Sequence, residues 1–294
     1  MHQELQHCPL CHSGQFRLFT TSKDYSVSGE TFSIQQCQNC DLLFTNPRPA
    51  ESELGRYYDS ATYVSHTNEG NTLINRIYKL VRHITLRQKT SLVEKWSTKG
   101  ELLDIGCGTG HFLAAAKANG WKVDGVEIND GARKQAEAAL GQELHKQLSE
   151  IPLTRRFQVI SMWHVLEHVY DLGQTFTLLK DLLHKQGSLV IAVPNPESYD
   201  ARVYGHAWAA WDVPRHLYHF SQDVMHKLAR KHGFAVKEVR PMYFDAFYVS
   251  MLSEEYQKGK KAYANAVVTG ARSNLWARNH NNQFSSLIYI LQHA

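Results

Sequence analysis

The chain has 294 residues, 43% of them hydrophobic and 20% charged, a balance that belongs to a globular protein with a sizeable core and excludes a disordered one. Its net charge of +4 is too mild to imply a nucleic-acid partner, because that role wants a clustered basic face. No run approaches the roughly 18 apolar residues of a membrane span, and Met1-His2-Gln3-Glu4 opens no signal-peptide pattern, so the expected compartment is the cytoplasm.

The first 48 residues hold two Cys-x-x-Cys pairs, Cys8/Cys11 and Cys37/Cys40, separated by 25 residues. In a reducing compartment this spacing favours thiolate chemistry over disulfides. Two such knuckles bring four thiolates into the tetrahedron that structural zinc prefers, and four cysteines leave no open position for catalytic water. Residues 1–48 are therefore expected to form a zinc-binding module too small to fold on its own core. Asn46-Pro47-Arg48-Pro49 ends it, since the residue before a proline is pushed out of helical geometry. Residues 49–98 read as a helical linker or lid, with Leu73, Ile77, Leu80, Val81 and Ile84 at helical spacing.

From residue 99 to 294 short apolar runs alternate with helical segments of about ten residues, the pattern of a parallel sheet built from βαβ units. The first run leads into Asp104-Ile105-Gly106-Cys107-Gly108-Thr109-Gly110, between a strand and a helix. Alternate glycines let the backbone turn sharply and approach a ligand. A dinucleotide fingerprint wants its third glycine three residues after the second; His111 stands there instead. Asp104 suits an ammonium group and would repel a pyrophosphate. The second strand ends in Glu127, 17 residues beyond Gly110, where a carboxylate can bind both hydroxyls of a ribose.

A ligand with an amine, a ribose and no essential phosphate is implied, and S-adenosylmethionine fits. On these residues, on Phe157–His168 (FQVISMWHVLEH) and on Gly187–Asn195, the chain resembles the class I S-adenosylmethionine-dependent methyltransferases, in their small-molecule branch. The resemblance covers roughly residues 100 to 294. It implies a Rossmann-like, doubly wound α/β fold with a seven-stranded sheet whose last strand, near Ser286–Leu291, runs antiparallel. It also implies cofactor contacts at Asp104, Gly106, Cys107, Gly108, Gly110, Glu127 and Ile128, with Gln147 and Leu148 beside the adenine and Trp163 and His164 nearby. A tyrosine preceding the long helix, Tyr58 or Tyr63, is expected over the methionine end. The cysteine arrangement resembles the N-terminal zinc modules of sugar C-methyltransferases and related enzymes of cell-surface glycan pathways.

The methyl acceptor belongs at the carboxyl ends of the strands. Two segments stand there, Trp163–His168 after the fourth strand and residues 208–220 (WAAWDVPRHLYHF), which precede a helix capped at Ser221. His216 is the candidate general base; Trp208, Trp211, Asp212 and Arg215 are candidate substrate contacts. A competing reading has Asp212, Arg215 and His216 bonding one another to fix the loop, and Glu167 and His168 are read as structural. The expected reaction is methyl transfer from S-adenosylmethionine, released as S-adenosylhomocysteine, to a small molecule or glycan precursor. The alternatives are an RNA- or protein-modifying enzyme that grips its target through the zinc module, and a binding protein with a degenerate cofactor site.

Overall fold

The computed structural model describes residues 2–58, 73–260 and 262–294. The N-terminal part supplies β1 (His2–Gln3), β2 (Phe16–Lys23), β3 (Thr31–Cys37), β4 (Leu43–Thr45) and β5 (Arg48–Pro49). After the helix Leu73–Trp96 come β6 (Glu101–Ile105), β7 (Lys122–Val126), β8 (Phe157–Trp163), β9 (Leu183–Pro194), β10 (Tyr218–His219), β11 (Phe234–Pro241) and β12 (Ser286–His293).

The larger sheet runs β11-β12-β9-β8-β6-β7. β9, β8, β6 and β7 pair in parallel, and β12 is antiparallel to both its neighbours. Parallel neighbours require crossovers, and the helices His111–Ala118, Asp130–Leu140 and Leu172–Leu182 supply them. Side chains alternate between the two faces with period two. Leu103, Ile160, Ile191 and Tyr289 enter one core cluster; Leu102, Val159, Val190 and Ile288 enter the other. The second cluster is closed by Leu92 and Val93 of the long helix and by Phe112, Leu113 and Ala116.

Among the described residues the sheet has six strands, not the expected seven. The segment after Gly141 pairs its backbone with β7, among the described residues, at one parallel bridge, Val126 to His145. Glu127 N–H donates to His145 O at 2.9 Å and His145 N–H to Gly125 O at 3.0 Å. In a parallel ladder the next bond would run from Gln147 N–H to Glu127 O, but Glu127 O accepts from Arg133 Nη1 at 2.9 Å. A short turn at Leu148–Glu150 thus leads the chain away before a ladder can form.

The smaller sheet, β10-β4-β3-β2, is antiparallel, and its β10 comes from the 208–220 segment. Thr45 Oγ1 donates to His216 O at 2.7 Å and Thr45 N–H to Leu217 O at 3.0 Å. Phe32, Ile34, Leu43 and Tyr57 pack with Trp208, Trp211 and Val213. The N-terminal residues and the candidate acceptor segment are therefore folded as one piece. Among the described residues no helix is long and apolar enough to cross a membrane.

Candidate active site

β6 delivers Asp104 and runs into the glycine turn. Gly106 N–H and Cys107 N–H both donate to Val126 O, at 2.7 and 3.1 Å, which anchors the turn to the end of β7. Gly106 has φ of 68°, and a Cβ there would lie 2.4 Å from Val165 Cγ2, so the segment after β8 packs directly on the turn. Gly108 has φ of 54°, and a Cβ there would meet nothing within 4 Å. Its backbone faces open space, as a ligand cradle requires.

Glu127 closes one side of this cradle. Its Oε2 accepts from Gly108 N–H and its Oε1 from Asn129 N–H, each at 2.8 Å. The carboxylate is fixed, yet each oxygen keeps a lone pair for a further donor. Ile128 beside it is 74% exposed, Gln147 is exposed and Leu148 half-buried. Asp104 is buried and accepts from Ser161 Oγ at 2.6 Å. Burial raises its pKa to about 7, opposed by the Ser161 bond and the Lys89 charge and reinforced by the Glu127 charge. Burial likewise pushes the Cys107 thiol up. Gly110 begins the helix His111–Ala118 from a left-handed conformation.

Lys89 is absent from the sequence-derived set, and nothing distinguishes it there from the other basic residues of its helix. Its Nζ lies 4.2 Å from the centre of the Trp163 ring. Burial lowers its pKa, opposed by the carboxylates of Asp104 and Asp245. Trp163 also meets Phe112 in an edge-to-face pair, with centroids 5.4 Å apart.

His164 follows with φ of 59° and lies between two carboxylates. Its Nδ1 is 3.3 Å from Glu167 Oε1, and its Nε2 is 3.0 Å from Asp245 Oδ2. Burial disfavours the imidazolium, but these two partners outweigh it and raise the pKa to about 10. Glu167 is 1% exposed; burial would raise its pKa, and the His164 charge and bond hold it below the ordinary value. The next residue, His168, has Nδ1 at 3.1 Å from Arg215 O and 3.0 Å from Tyr58 OH. Burial, then the His216 charge, lowers its pKa to about 4. His216 reaches the same place from the other segment. Its Nδ1 is 2.9 Å from Ala210 O, and its Nε2 is 4.0 Å from Glu167 Oε1 and 3.9 Å from Asp212 Oδ2. The His168 and His216 rings meet edge to face at 4.6 Å. Leu217 N–H donates to Glu167 O at 2.8 Å, tying the two segments together.

The structure thus gathers His164, Glu167, His168, His216 and Tyr58 at the carboxyl ends of the strands. Tyr58 meets His168 there, and Tyr63 lies outside the described residues. The remaining candidates of residues 208–220 are spent on the protein itself. Trp208 is 1% exposed and its Nε1 donates to Asp200 Oδ2 at 2.8 Å. Trp211 is buried, with Nε1 bonded to Gly205 O at 2.8 Å. Arg215 donates to Asp212, to Asp24 and to Tyr57 O. Glu167 and His168 belong to the Phe157–His168 motif yet read as structural from sequence, and Asp245 carries no motif signal. The contacts that bring them into the site, Arg215 and His216 for the first two and His164 for Asp245, come from distant segments.

At the far end of the N-terminal piece the four thiols converge. Cys8 and Cys40 sulfurs are 3.5 Å apart and those of Cys11 and Cys37 3.4 Å apart. All four lie within 4.8 Å of one another, and none is in a disulfide.

A family profile described as a methyltransferase domain matches residues 76–239. The ubiquinone biosynthesis O-methyltransferase of Nitrosospira multiformis is 24% identical over 204 residues, which cover 65% of this chain and 80% of that protein. Among solved structures, magnesium protoporphyrin IX methyltransferase from Synechocystis PCC 6803, with bound SAH, superposes with a TM-score of 0.52 at 12% identity, over 83% of this chain and 100% of that one. Mitomycin 7-O-methyltransferase MmcR gives a TM-score of 0.47 at 15% identity; the match covers 72% of this chain and 54% of that one, a little over half its length. With more than half its length matched by the family profile, over the residues that build the glycine turn and the strands around it, the chain belongs to the methyltransferase-domain family.

Proposed function

We propose that the chain transfers the methyl group of S-adenosylmethionine to a small-molecule acceptor. The observation that carries this reading is the Glu127 carboxylate, pinned between Gly108 N–H and Asn129 N–H at the mouth of an open glycine turn. Its free lone pairs suit the two ribose hydroxyls, exposed Ile128 suits an adenine face, and Asp104 as a carboxylate suits the ammonium. Lys89 over Trp163 is placed to receive the carboxylate end. The bound cofactor supplies an electrophilic methyl carbon: an acceptor lone pair forms the new bond, and the carbon–sulfur pair returns to sulfur, leaving S-adenosylhomocysteine.

The chain's own contribution is alignment and proton removal. Because a carbonyl can only accept, the Ala210 O contact puts the His216 proton on Nδ1. Nε2 is then a lone-pair atom facing Glu167 and Asp212, able to take a hydroxyl proton from the acceptor. Arg215, Trp208 and Trp211 act as scaffold for that loop. The ubiquinone biosynthesis O-methyltransferase relative supports an oxygen acceptor on a small molecule.

Four thiols within 4.8 Å fit zinc, whose bonds of about 2.3 Å set tetrahedral sulfurs about 3.8 Å apart. Cys8, Cys11, Cys37 and Cys40 would hold it as a structural ion. Free thiols also suit the cytoplasm. Calorimetry with S-adenosylhomocysteine tests the reading. One site per chain is the expected result, weakened at least 100-fold by Glu127→Ala; no binding at all would overturn it.

A further inference from the structure

We infer that Glu167, His168 and His216 hold a divalent first-row metal ion on the acceptor side of the methyl-transfer site. The inference rests on the proposed function and changes His216 from a base to a ligand.

The donor chemistry leads there. One ligand atom from each of the three residues lies within 4.8 Å of the others. Both imidazoles have Nδ1 against a backbone carbonyl, His168 at Arg215 O (3.1 Å) and His216 at Ala210 O (2.9 Å). A carbonyl accepts only, so the His216 proton sits on Nδ1 and its Nε2 presents a lone pair. His168 does the same when its Nδ1–H donates to Arg215 O, with Tyr58 OH the second group at that nitrogen, 3.0 Å away. This outer-shell contact is the one that fixes the tautomer of metal-binding histidines. Glu167 is 1% exposed, and its Oε2 is buried with no hydrogen-bond partner among the described residues. Its other oxygen accepts from His164, which is itself held by Asp245 at 3.0 Å. The three residues thus meet at a carboxylate that keeps one buried oxygen without a donor, an arrangement that is costly unless a cation completes it.

The ion's class follows from the set. Two imidazoles and one carboxylate suit zinc or ferrous iron over magnesium or calcium, and three protein ligands leave positions open. Donors about 2.0–2.1 Å from a zinc ion sit up to about 3.5 Å apart, so the His216–Glu167 separation of 4.0 Å closes by a small side-chain rotation. An acceptor oxygen at an open position would lose its proton to solvent more readily on coordination, as metal-bound water does. Val165 packs on Gly106, so the ion's first ligand would stand two residues beyond the wall of the cofactor cradle.

The test is a metal count that does not depend on turnover. Full-length protein is stripped of metal and dialysed against Zn2+ alone, and bound zinc is counted by mass spectrometry alongside S-adenosylhomocysteine binding. Two zinc ions per chain are expected in the wild type. Glu167→Gln and His216→Gln should each keep one, with S-adenosylhomocysteine affinity within about 3-fold. The second site should weaken by more than the roughly 10–100-fold that follows loss of an outer-shell partner. A single zinc in the wild type, removed by Cys8→Ser, overturns the inference and leaves His216 as the base. Loss of S-adenosylhomocysteine binding in wild-type protein would instead refute the function, whatever the metal count.

Discussion

Arg215 Nη2 and Asp24 Oδ1 lie 3.0 Å apart, with side chains 1% and 0% exposed, although 191 positions separate them in the chain. Asp24 also accepts from the amides of Ser26, Val27 and Ser28. Burial would raise its pKa, but the Ser28 amide and the Arg215 charge hold it below the ordinary carboxylate value. Arg215 completes its bonding with Asp212 and Tyr57 O, at 2.6 and 2.9 Å. The pair therefore rivets the N-terminal piece to the residue preceding His216. Removing one partner strands a buried charge, which typically costs about 3–5 kcal/mol. Arg215→Ala and Asp24→Ala should each lower stability by that amount in urea unfolding, and the double variant should lose less than their sum. Additive losses would mean that the two residues stabilise independent parts.

Asp104 gives the cofactor site a pH dependence of definite sign. Burial first, then the Glu127 charge, raises its pKa to about 7 against the opposing Ser161 bond and Lys89 charge. Only the carboxylate pairs with an ammonium group. Below about pH 7 the bound ammonium must therefore displace a proton, and affinity should fall by up to about tenfold per pH unit. Binding should be tight at about pH 8, weaker at about pH 6, and accompanied by proton release in buffers of different ionisation enthalpy. Asp104→Asn should bind weakly and lose the pH dependence. Equal affinity at both pH values in the wild type would dissociate Asp104 from the ammonium.

The two glycines with opposite surroundings separate fold from ligand. A Cβ at Gly106 would strike Val165 at 2.4 Å, whereas one at Gly108 would meet nothing within 4 Å. Both positions have positive φ, so either substitution carries a backbone penalty of about 1–2 kcal/mol. Gly106→Ala should add a packing loss of about 1–3 kcal/mol and lower the melting temperature. Gly108→Val should leave the melting temperature closer to wild type yet abolish S-adenosylhomocysteine binding. Retained binding in Gly108→Val would place the ligand elsewhere.

What the sequence discloses divides along the range of the interactions. The glycine turn, Glu127 and the cysteine pairs are local patterns whose spacing carries their meaning, and the strands of the parallel sheet follow from period and length. Arg215 shows the limit. Its proximity to Asp212 is legible three residues away, but its buried partner Asp24 comes from a turn that no local pattern links to it. The same holds for His164, whose second carboxylate, Asp245, stands 81 positions later. Lys89 looks like any basic residue of a solvated helix until the fold sets it over Trp163. The missing sheet strand has an equally local cause, the turn at Leu148–Glu150 and the Arg133 bond to Glu127 O, which a count of apolar runs does not register.

The cysteine cluster should matter beyond its own knuckles. Cys8, Cys37 and Cys40 are buried in a core continuous with Leu42, Phe44, Leu217 and Phe220, and β10 pairs with β4 two residues past His216. Structural zinc contributes roughly 10–16 kcal/mol of apparent binding energy in small zinc peptides; here existing core packing would retain part of the fold. Cys8→Ser or Cys40→Ser should therefore remove one zinc and lower the unfolding free energy by several kcal/mol. Methyl transfer should fall even where the protein stays folded, because the loop carrying His216 loses its support. Cofactor affinity should change little by comparison, since Gly108 and Glu127 follow β6 and β7 of the larger sheet, whereas the knuckles flank the smaller one. A KM for the acceptor that rises while S-adenosylhomocysteine affinity holds would be the signature. Equal losses at both sites would mean that the zinc supports the whole sheet and not the acceptor loop alone.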